Sequence, residues 1–119
     1  VKDVRKEYKV PNMPFVIGVL GTGGTKEKVD KNPVSVAQRE AAAAPEFKGN
    51  VASVESYPLF ELKAAGMWGD RTWNRPGHRV EFSMVASDRP YHYMGSGRFF
   101  VRFGHALADA MVDLLKNQK

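Results

Sequence analysis

The sequence contains no cysteine and no long hydrophobic run. The absence of cysteine excludes disulfide bonds and cysteine-ligated metals, and it leaves the redox compartment undetermined. The longest apolar run, from Phe15 to Leu20, is far shorter than the roughly 20 residues that a membrane-spanning helix requires. The sequence therefore predicts no transmembrane helix.

Long blocks of one charge are also missing, although the net charge is +5. Basic surfaces can bind phosphate, but here Lys and Arg are interleaved with Asp and Glu, apart from a small cluster at Arg71, Arg75 and Arg79. This pattern favours a solvated basic surface over a nucleic-acid-binding stripe. The 119 residues, 43% hydrophobic and 26% charged, are typical of one globular domain.

The first half of the chain has the pattern of a strand, helix, strand unit. Phe15 to Leu20 is followed by a glycine-rich turn at residues 21–24, which indicates a strand buried on both faces. Val34 to Ala44 has high helix propensity and stops before Pro45. Val51 to Tyr57 is the second strand candidate. Because such units build parallel sheets, the predicted class is α/β.

Four other segments complete this prediction. Residues 1–9 indicate the last turns of a charged helix, 26–33 a polar loop, and 59–90 loop with short helical pieces. The end of the chain predicts a long helix with Ser96 as its N-cap. One face of that helix is apolar, through Phe99, Phe100, Phe103, Leu107, Ala110, Met111, Leu114 and Leu115.

The three histidines are the candidate proton-transfer groups. His105 lies in the final helix beside its apolar face, so we expect it half-buried or at the surface. His78 follows a Pro-Gly turn, so we expect it to be exposed. His92 lies between two tyrosines in the loop that leads into the final helix, where packing can orient an imidazole as a general base. From spacing alone, His92 is either a structural residue or such a base.

Neither a metal site nor a phosphate site is indicated. The histidines are far apart in sequence, with no His-x-x-x-His spacing and no carboxylate cluster beside them, so we expect no metal. The turn Gly21-Thr22-Gly23-Gly24 has neither the full Gly-x-Gly-x-x-Gly spacing nor the Lys-Ser ending of phosphate-binding loops. We therefore expect it to terminate a strand, and we expect no cofactor.

Three blocks of sequence carry a resemblance to a known family. They are DVRKEYKVPNMPFVIGVLG at residues 3–21, PEFKGNV at 45–51 and YHYMGS at 91–96. In this order they resemble the sialic-acid O-acetylesterase-like branch of the SGNH hydrolases, over most of the chain except roughly residues 59–88. The resemblance implies part of a flavodoxin-like three-layer α/β/α sandwich, with parallel strands, a long C-terminal helix and an active site at the carboxyl ends of the strands.

Members of this family are carbohydrate acetylesterases, in which a histidine directly before the closing helix activates a serine near the start of the domain. His92 occupies the position of that histidine. The family's serine lies in an N-terminal Gly-Gln-Ser-type block, and its oxyanion donors come partly from middle blocks. None of these blocks is present here. The resemblance thus implies that residues 1–119 are the C-terminal part of one esterase domain and are inactive alone.

The same resemblance implies the partners and the location. The substrate is an acetylated carbohydrate, and the missing N-terminal half of the domain is the protein partner. No nucleic acid, membrane or cofactor is expected to take part. The family implies a secreted or periplasmic protein.

The sequence leaves alternatives for the group that orients His92. Many SGNH enzymes place an aspartate three residues before the histidine, but that position is Arg89 here. Asp88 lies one residue further back and can serve if the turn through Arg89 and Pro90 brings it round. Otherwise a main-chain carbonyl or a distant acid holds the ring, and Asp88 only caps the turn.

The alternative function is a small basic, non-catalytic module that binds glycans or nucleic acid. Four aromatic residues would stack on sugars or bases, while arginines would contact anionic groups. These aromatics are Trp68, Trp73, Tyr91 and Tyr93. Packing inside the protein is the competing explanation for all four.

Overall fold

The computed structural model describes residues 1–117, which are mostly helical and include two parallel strands. The strands are β1 (Phe15–Val19) and β2 (Val51–Glu55). The helices are α1 (Lys2–Glu7), α2 (Lys26–Asp30), α3 (Pro33–Ala43), α4 (Leu62–Gly69), α5 (His78–Ser83) and α6 (Gly97–Asn117), with 3₁₀ turns at Pro45–Phe47, Tyr57–Leu59 and Pro90–Gly95. A mixed α/β fold with a long C-terminal helix is thus confirmed.

The predicted strand, helix, strand unit is present. β1 and β2 pair in parallel, with Phe15 opposite Val51 and Val19 opposite Glu55. The connecting helix α3 begins after Asn32, whose side-chain oxygen accepts hydrogen bonds from two first-turn amides. An asparagine cap followed by proline at the first helical position is a strong local start signal. The sequence predicted this helix from the high helix propensity of residues 34–44 and from Pro45.

The prediction that β1 is buried on both faces is wrong for most of its length. Val19 is fully buried, but the other four residues of the strand are only half-buried. Both α3 and α6 pack against the two strands. Within the described residues, however, the sheet has only these two strands, so the outer edge of β1 has no partner strand. A parallel strand is fully buried only when strands flank it and helices cover it.

One predicted loop is a helix. Residues 26–30 form α2, because the Thr25 hydroxyl accepts a hydrogen bond from the Lys28 amide at 3.4 Å and closes the first turn. The ion pair between Lys26 and Asp30, with the donor and acceptor atoms 2.6 Å apart, spans one helical turn. Val29 is 2% exposed and anchors the helix in the core. A single buried residue leaves too weak a periodicity to be read from sequence.

The segment at residues 59–90 holds α4 and α5, which are the predicted short helical pieces. Together with the turn before α6, they enclose a hydrophobic core cluster of Phe60, Ala64, Phe82, Ala86 and Met94. The rings of Trp68 and Trp73 stack on each other, with centroids 5.1 Å apart, and pack against this cluster. This cluster supports the loop that carries His92, because Met94 belongs to both.

Helix α6 is the predicted C-terminal helix, and Ser96 is its N-cap. The Ser96 hydroxyl accepts a hydrogen bond from the Phe99 amide at 3.2 Å. The predicted apolar face is only partly covered: Phe99 is buried, but Phe100 and Leu115 are 53% and 48% exposed. Those two residues stay exposed because two strands are too narrow a sheet to cover the whole apolar face.

The overall shape is elongated. The radius of gyration is 17.2 Å and the principal extents are 55 × 26 × 23 Å. A compact domain of this length has a radius of gyration of about 13.5 Å. The chain is therefore less compact than a typical domain of its length.

Candidate active site around His92

Asp88 and His92 form a hydrogen-bonded pair in the loop before α6. The Asp88 Oδ2 and His92 Nδ1 atoms are 2.5 Å apart. The other carboxylate oxygen, Oδ1, accepts a hydrogen bond from the Arg89 amide at 2.7 Å. The turn through Arg89 and Pro90 thus brings the acid round to the imidazole. Asp88 both caps the turn and contacts His92, so the two roles that the sequence left as alternatives occur together.

The charge of Asp88 determines which nitrogen of His92 carries the proton. The hydrogen bond from His92, and then that from the Arg89 amide, lower the pKa of Asp88 below its usual value. At neutral pH Asp88 is therefore a carboxylate, which only accepts hydrogen bonds. A neutral His92 must then carry its proton on Nδ1, and its Nε2 keeps a free lone pair. Among residues 1–117, Nε2 has no hydrogen-bond partner.

The pair lies at the protein surface. The side chains of His92 and Asp88 are 55% and 43% exposed. The Tyr91 ring meets the imidazole edge-on, with centroids 4.6 Å apart. Its hydroxyl accepts a hydrogen bond from Arg89 Nη1 at 2.8 Å. The imidazole is thus held by a carboxylate at Nδ1 and an aromatic ring alongside, and Nε2 makes no hydrogen bond within residues 1–117.

The loop that carries His92 lies at the carboxyl ends of both strands. The Tyr93 hydroxyl accepts a hydrogen bond from the amide of Gly21, just after β1, at 3.1 Å. The same hydroxyl is 3.1 Å from the hydroxyl of Ser56, which follows β2 directly. In open α/β sheets, ligands bind outside the carboxyl ends of parallel strands. The structure therefore places His92 at the edge where a parallel sheet presents its site.

The backbone after His92 reverses through three residues in the left-handed region. Tyr93, Met94 and Gly95 have φ values of 52°, 59° and 59°. The first two lack glycine's freedom and each costs about 1–2 kcal/mol in this conformation. The Met94 side chain is fully buried, and its carbonyl accepts hydrogen bonds from the amides of Ser87 and Asp88 at 2.8 and 3.0 Å. Burial and these bonds offset the strain and fix the position of Asp88.

The glycine-rich turn after β1 terminates the strand, as predicted. The Gly24 amide donates to the Gly21 carbonyl at 2.9 Å, and Gly24 has a φ of 71°. Gly21 passes close to the other strand's exit, since a Cβ there would lie 2.7 Å from Tyr57 Cα. A side chain would push the two strand exits apart, so glycine is required by close approach of the chain.

The other two histidines are at the surface, as expected. His78 begins α5, with Nδ1 3.6 Å from Glu81 Oε2, and His105 is exposed on α6. Within the part of the chain that the structure describes, no three His, Asp or Glu side chains are grouped to hold a metal ion.

The aromatic residues proposed for a binding module are largely packed against the protein. The Trp68 and Trp73 rings cover each other and both contact Phe82. The Tyr93 ring is stacked on Phe99, with centroids 4.1 Å apart and planes 10° apart. Only Tyr91 of the four is highly exposed, at 57%. Packing accounts for three of the four without a ligand.

A cavity of about 460 Å³ lies at the opposite end of the sheet. It is lined by Lys2, Arg5, Lys6, Lys9, Pro11, Glu46 and Phe47. Arg5 donates hydrogen bonds to the Met13 carbonyl and to Asn50 Oδ1, which precede the two strands. The cavity is therefore at the amino ends of the strands, whereas His92 is at the carboxyl ends, in an open setting.

Sequence reasoning missed Tyr93 and Ser56 as parts of the site. The available signal was their placement, because Ser56 directly follows a predicted strand at its carboxyl end and Tyr93 adjoins the candidate base. A polar residue in such a position is a candidate whenever the sheet is parallel.

Comparison of the chain with protein-family models, with curated proteins and with solved structures found no match. No helix within residues 1–117 is long and apolar enough to cross a membrane. Function must therefore be inferred from the geometry of the site.

Proposed function

We propose that this chain is the C-terminal portion of an SGNH-type carbohydrate O-acetylesterase domain, with His92 as general base and Asp88 as the acid that orients it. The observation that carries the proposal is the 2.5 Å contact between Asp88 Oδ2 and His92 Nδ1 in a loop at the carboxyl edge of a parallel sheet. A carboxylate on Nδ1 leaves Nε2 unprotonated, which is the arrangement that a serine esterase needs.

The proposed reaction is acyl transfer through a serine supplied by the N-terminal half. The serine hydroxyl attacks the acetyl carbonyl while His92 Nε2 takes its proton. The bond between the acetyl carbon and the sugar oxygen then breaks, and the proton passes to that oxygen, which leaves as the sugar hydroxyl. A water molecule, deprotonated by the same nitrogen, then attacks the acetyl-serine, and acetate leaves as the serine recovers its proton. Asp88 stays ionised throughout and stabilises the transient imidazolium.

The serines that border the His92 loop are unsuited to be this nucleophile. Ser56 is fully buried, and its hydroxyl donates to the Val19 carbonyl at 2.6 Å. The Ser87 hydroxyl donates to the Gly95 carbonyl at 3.0 Å, and Ser96 caps α6. Each hydroxyl has a structural partner and none contacts His92. This supports a nucleophile from outside the described residues.

The missing half would also complete the fold as a three-layer α/β/α sandwich. Its strands would pair with the open edge of β1, whose backbone groups are a template for strand addition. Apolar side chains on α6 that are exposed here would be buried against the added half. They are Phe100, Val101, Val112 and Leu115. The large radius of gyration, 17.2 Å against about 13.5 Å for a compact domain of this length, supports the same proposal.

The test is acetate release from an acetylated sugar by the chain joined to its N-terminal half. We expect His92→Ala to lower kcat by about 10²- to 10⁴-fold, the contribution of a general base. Asp88→Asn should lower it less, since the base remains but its tautomer is no longer imposed. His105→Ala is the matched control and should have no effect, because His105 is exposed on α6.

Two results would count against the proposal. One is full acetate release by the His92→Ala protein. The other is unaided, tight binding of glycans or nucleic acid by the chain with no acetate release in any form, which would favour the alternative of a non-catalytic binding module.

A further inference from the structure

The hydroxyl of Tyr93 belongs to a continuous network of hydrogen bonds that joins the carboxyl ends of both strands. The Gly21 amide donates to Tyr93 Oη at 3.1 Å, and the Ser56 hydroxyl donates to the Val19 carbonyl at 2.6 Å. Tyr93 Oη and Ser56 Oγ are 3.1 Å apart. Because the proton of Ser56 is used on Val19, the Tyr93 hydroxyl must donate to Ser56. Each of the two hydroxyls thus both donates and accepts one hydrogen bond.

The rest of Tyr93 has little freedom. Its ring is stacked on the fully buried ring of Phe99, 4.1 Å between centroids, and meets Phe60 edge-on. Its backbone is in the left-handed region. The ring stack alone would allow the side chain to slide over Phe99, whereas the hydroxyl sets its distance from the two strand exits. The peptide bond to His92 carries that constraint directly to the imidazole.

We propose that Tyr93 and Ser56 are positioning residues for His92. The hydrogen bond between their hydroxyls holds the imidazole where its Nδ1 can bond to the Asp88 carboxylate. The catalytic role of His92 and Asp88 rests on the proposed function, but the positioning of His92 by Tyr93 and Ser56 does not. Ser56 connects the loop to β2 and Gly21 connects it to β1, so the two strands fix the position of the loop. Without that bond, the loop keeps its contacts with Phe99 but loses its alignment to the strands.

A purely structural role for Tyr93 makes a different prediction. It would lower the stability of the chain without changing the hydrogen bond between His92 and Asp88. The deciding quantity is therefore the tautomer ratio of neutral His92, since the contact with Asp88 favours the proton on Nδ1 whereas free histidine prefers it on Nε2.

The experiment is ¹⁵N NMR of the imidazole nitrogens in the labelled chain, at alkaline pH where histidine is neutral. In Tyr93→Phe, which keeps the ring and removes only the hydroxyl, we expect the ratio of Nδ1–H to Nε2–H tautomer in His92 to fall by about fivefold, as for the loss of one ordinary hydrogen bond. Ser56→Ala should produce the same fall, and the double variant should add little to either.

The matched control is Tyr91→Phe, which removes the hydroxyl on the other side of His92. That hydroxyl contacts Arg89 and neither strand exit, so the tautomer ratio should not change. An unchanged ratio in folded Tyr93→Phe or Ser56→Ala, or an equal fall in Tyr91→Phe, would overturn the inference. Dispersed amide spectra establish folding, and Ser56→Ala provides the test if Tyr93→Phe does not fold. No substrate is involved, so the result is independent of the acetate-release assay.

Discussion

Glu61 and Arg98 form a paired, two-bond contact that ties the start of α6 to the turn before α4. Arg98 Nε donates to Glu61 Oε1 at 2.8 Å, and Nη2 donates to Oε2 at 3.1 Å. The Glu61 side chain is only 11% exposed. The Ser96 hydroxyl also approaches Oε1, at 3.4 Å. The end of the His92 loop is therefore fixed by the N-cap and by this ion pair, while Tyr93 fixes its middle.

Replacing Glu61 with glutamine should destabilise the chain. The change removes the charge from a nearly buried, two-bond contact, and we expect the free energy of unfolding to fall by about 1–2 kcal/mol. Urea unfolding followed by circular dichroism measures the difference. Asp113→Asn is the matched control, because the Asp113 to Lys116 pair is about 70% exposed on both sides and such pairs contribute little. Equal falls in the free energy of unfolding of the two variants would contradict a special stabilising role for the contact between Glu61 and Arg98.

Removing the imidazole should raise the pKa of Asp88. The hydrogen bond from His92 is the largest cause of the lowering, so in His92→Ala the pKa of Asp88 should move up toward its usual value, and it should stay somewhat lowered because the Arg89 amide remains. Because the folded-state pKa is lowered, the contribution of Asp88 to stability is present above about pH 4 and is lost as the pH falls through the folded-state pKa.

Carboxyl ¹³C NMR across the acid range measures this shift. Glu81 is the internal reference, since its pKa is lowered chiefly by Lys63 and should not respond to the change at His92. An Asp88 titration that is the same with and without the imidazole would show that the hydrogen bond is not populated in solution.

Gly95→Ala should be strongly destabilising. Gly95 has a φ of 59°, and a Cβ there would lie 3.0 Å from the backbone nitrogen and from the Cβ of Asp88. The left-handed conformation and the crowding together should cost about 2–4 kcal/mol. Gly97→Ala is the control, because a Cβ there has nothing within 4 Å and should be neutral or stabilising. Thermal unfolding of both variants decides, and similar melting temperatures would refute the expectation.

The open edge of β1 and the exposed side of α6 should make the isolated chain self-associate. Val101 and Leu115 are 62% and 48% exposed on α6. We expect the double change Val101→Lys and Leu115→Lys to weaken association by about tenfold or more, from loss of apolar burial. Sedimentation equilibrium measures this. Val80→Lys on α5, also highly exposed at 69%, is the control. A wild-type chain that stays monomeric at high concentration would argue against a missing half.

Local signals in the sequence determined the elements that were predicted correctly. The β1 to α3 to β2 unit follows from an apolar run, the helix propensity of residues 34–44 and Pro45, and α6 follows from its periodicity and the Ser96 cap. These are interactions between residues a few positions apart, which composition and spacing express directly. Local spacing left His92 as either a structural residue or a base, and only the family resemblance favoured the base.

Tertiary structure alone decided how the site is assembled. Whether Asp88 reaches His92 depends on the turn conformation, and the bonds from Tyr93 to Ser56 and Gly21 span 37 and 72 positions of the chain. Which residues of the α6 face are covered, Phe99 but not Phe100, depends on the width of the sheet beneath them. Contacts between distant segments form only when packed elements bring those segments together. Hydrophobic periodicity indicates which face of an element is buried, but not which segment it packs against.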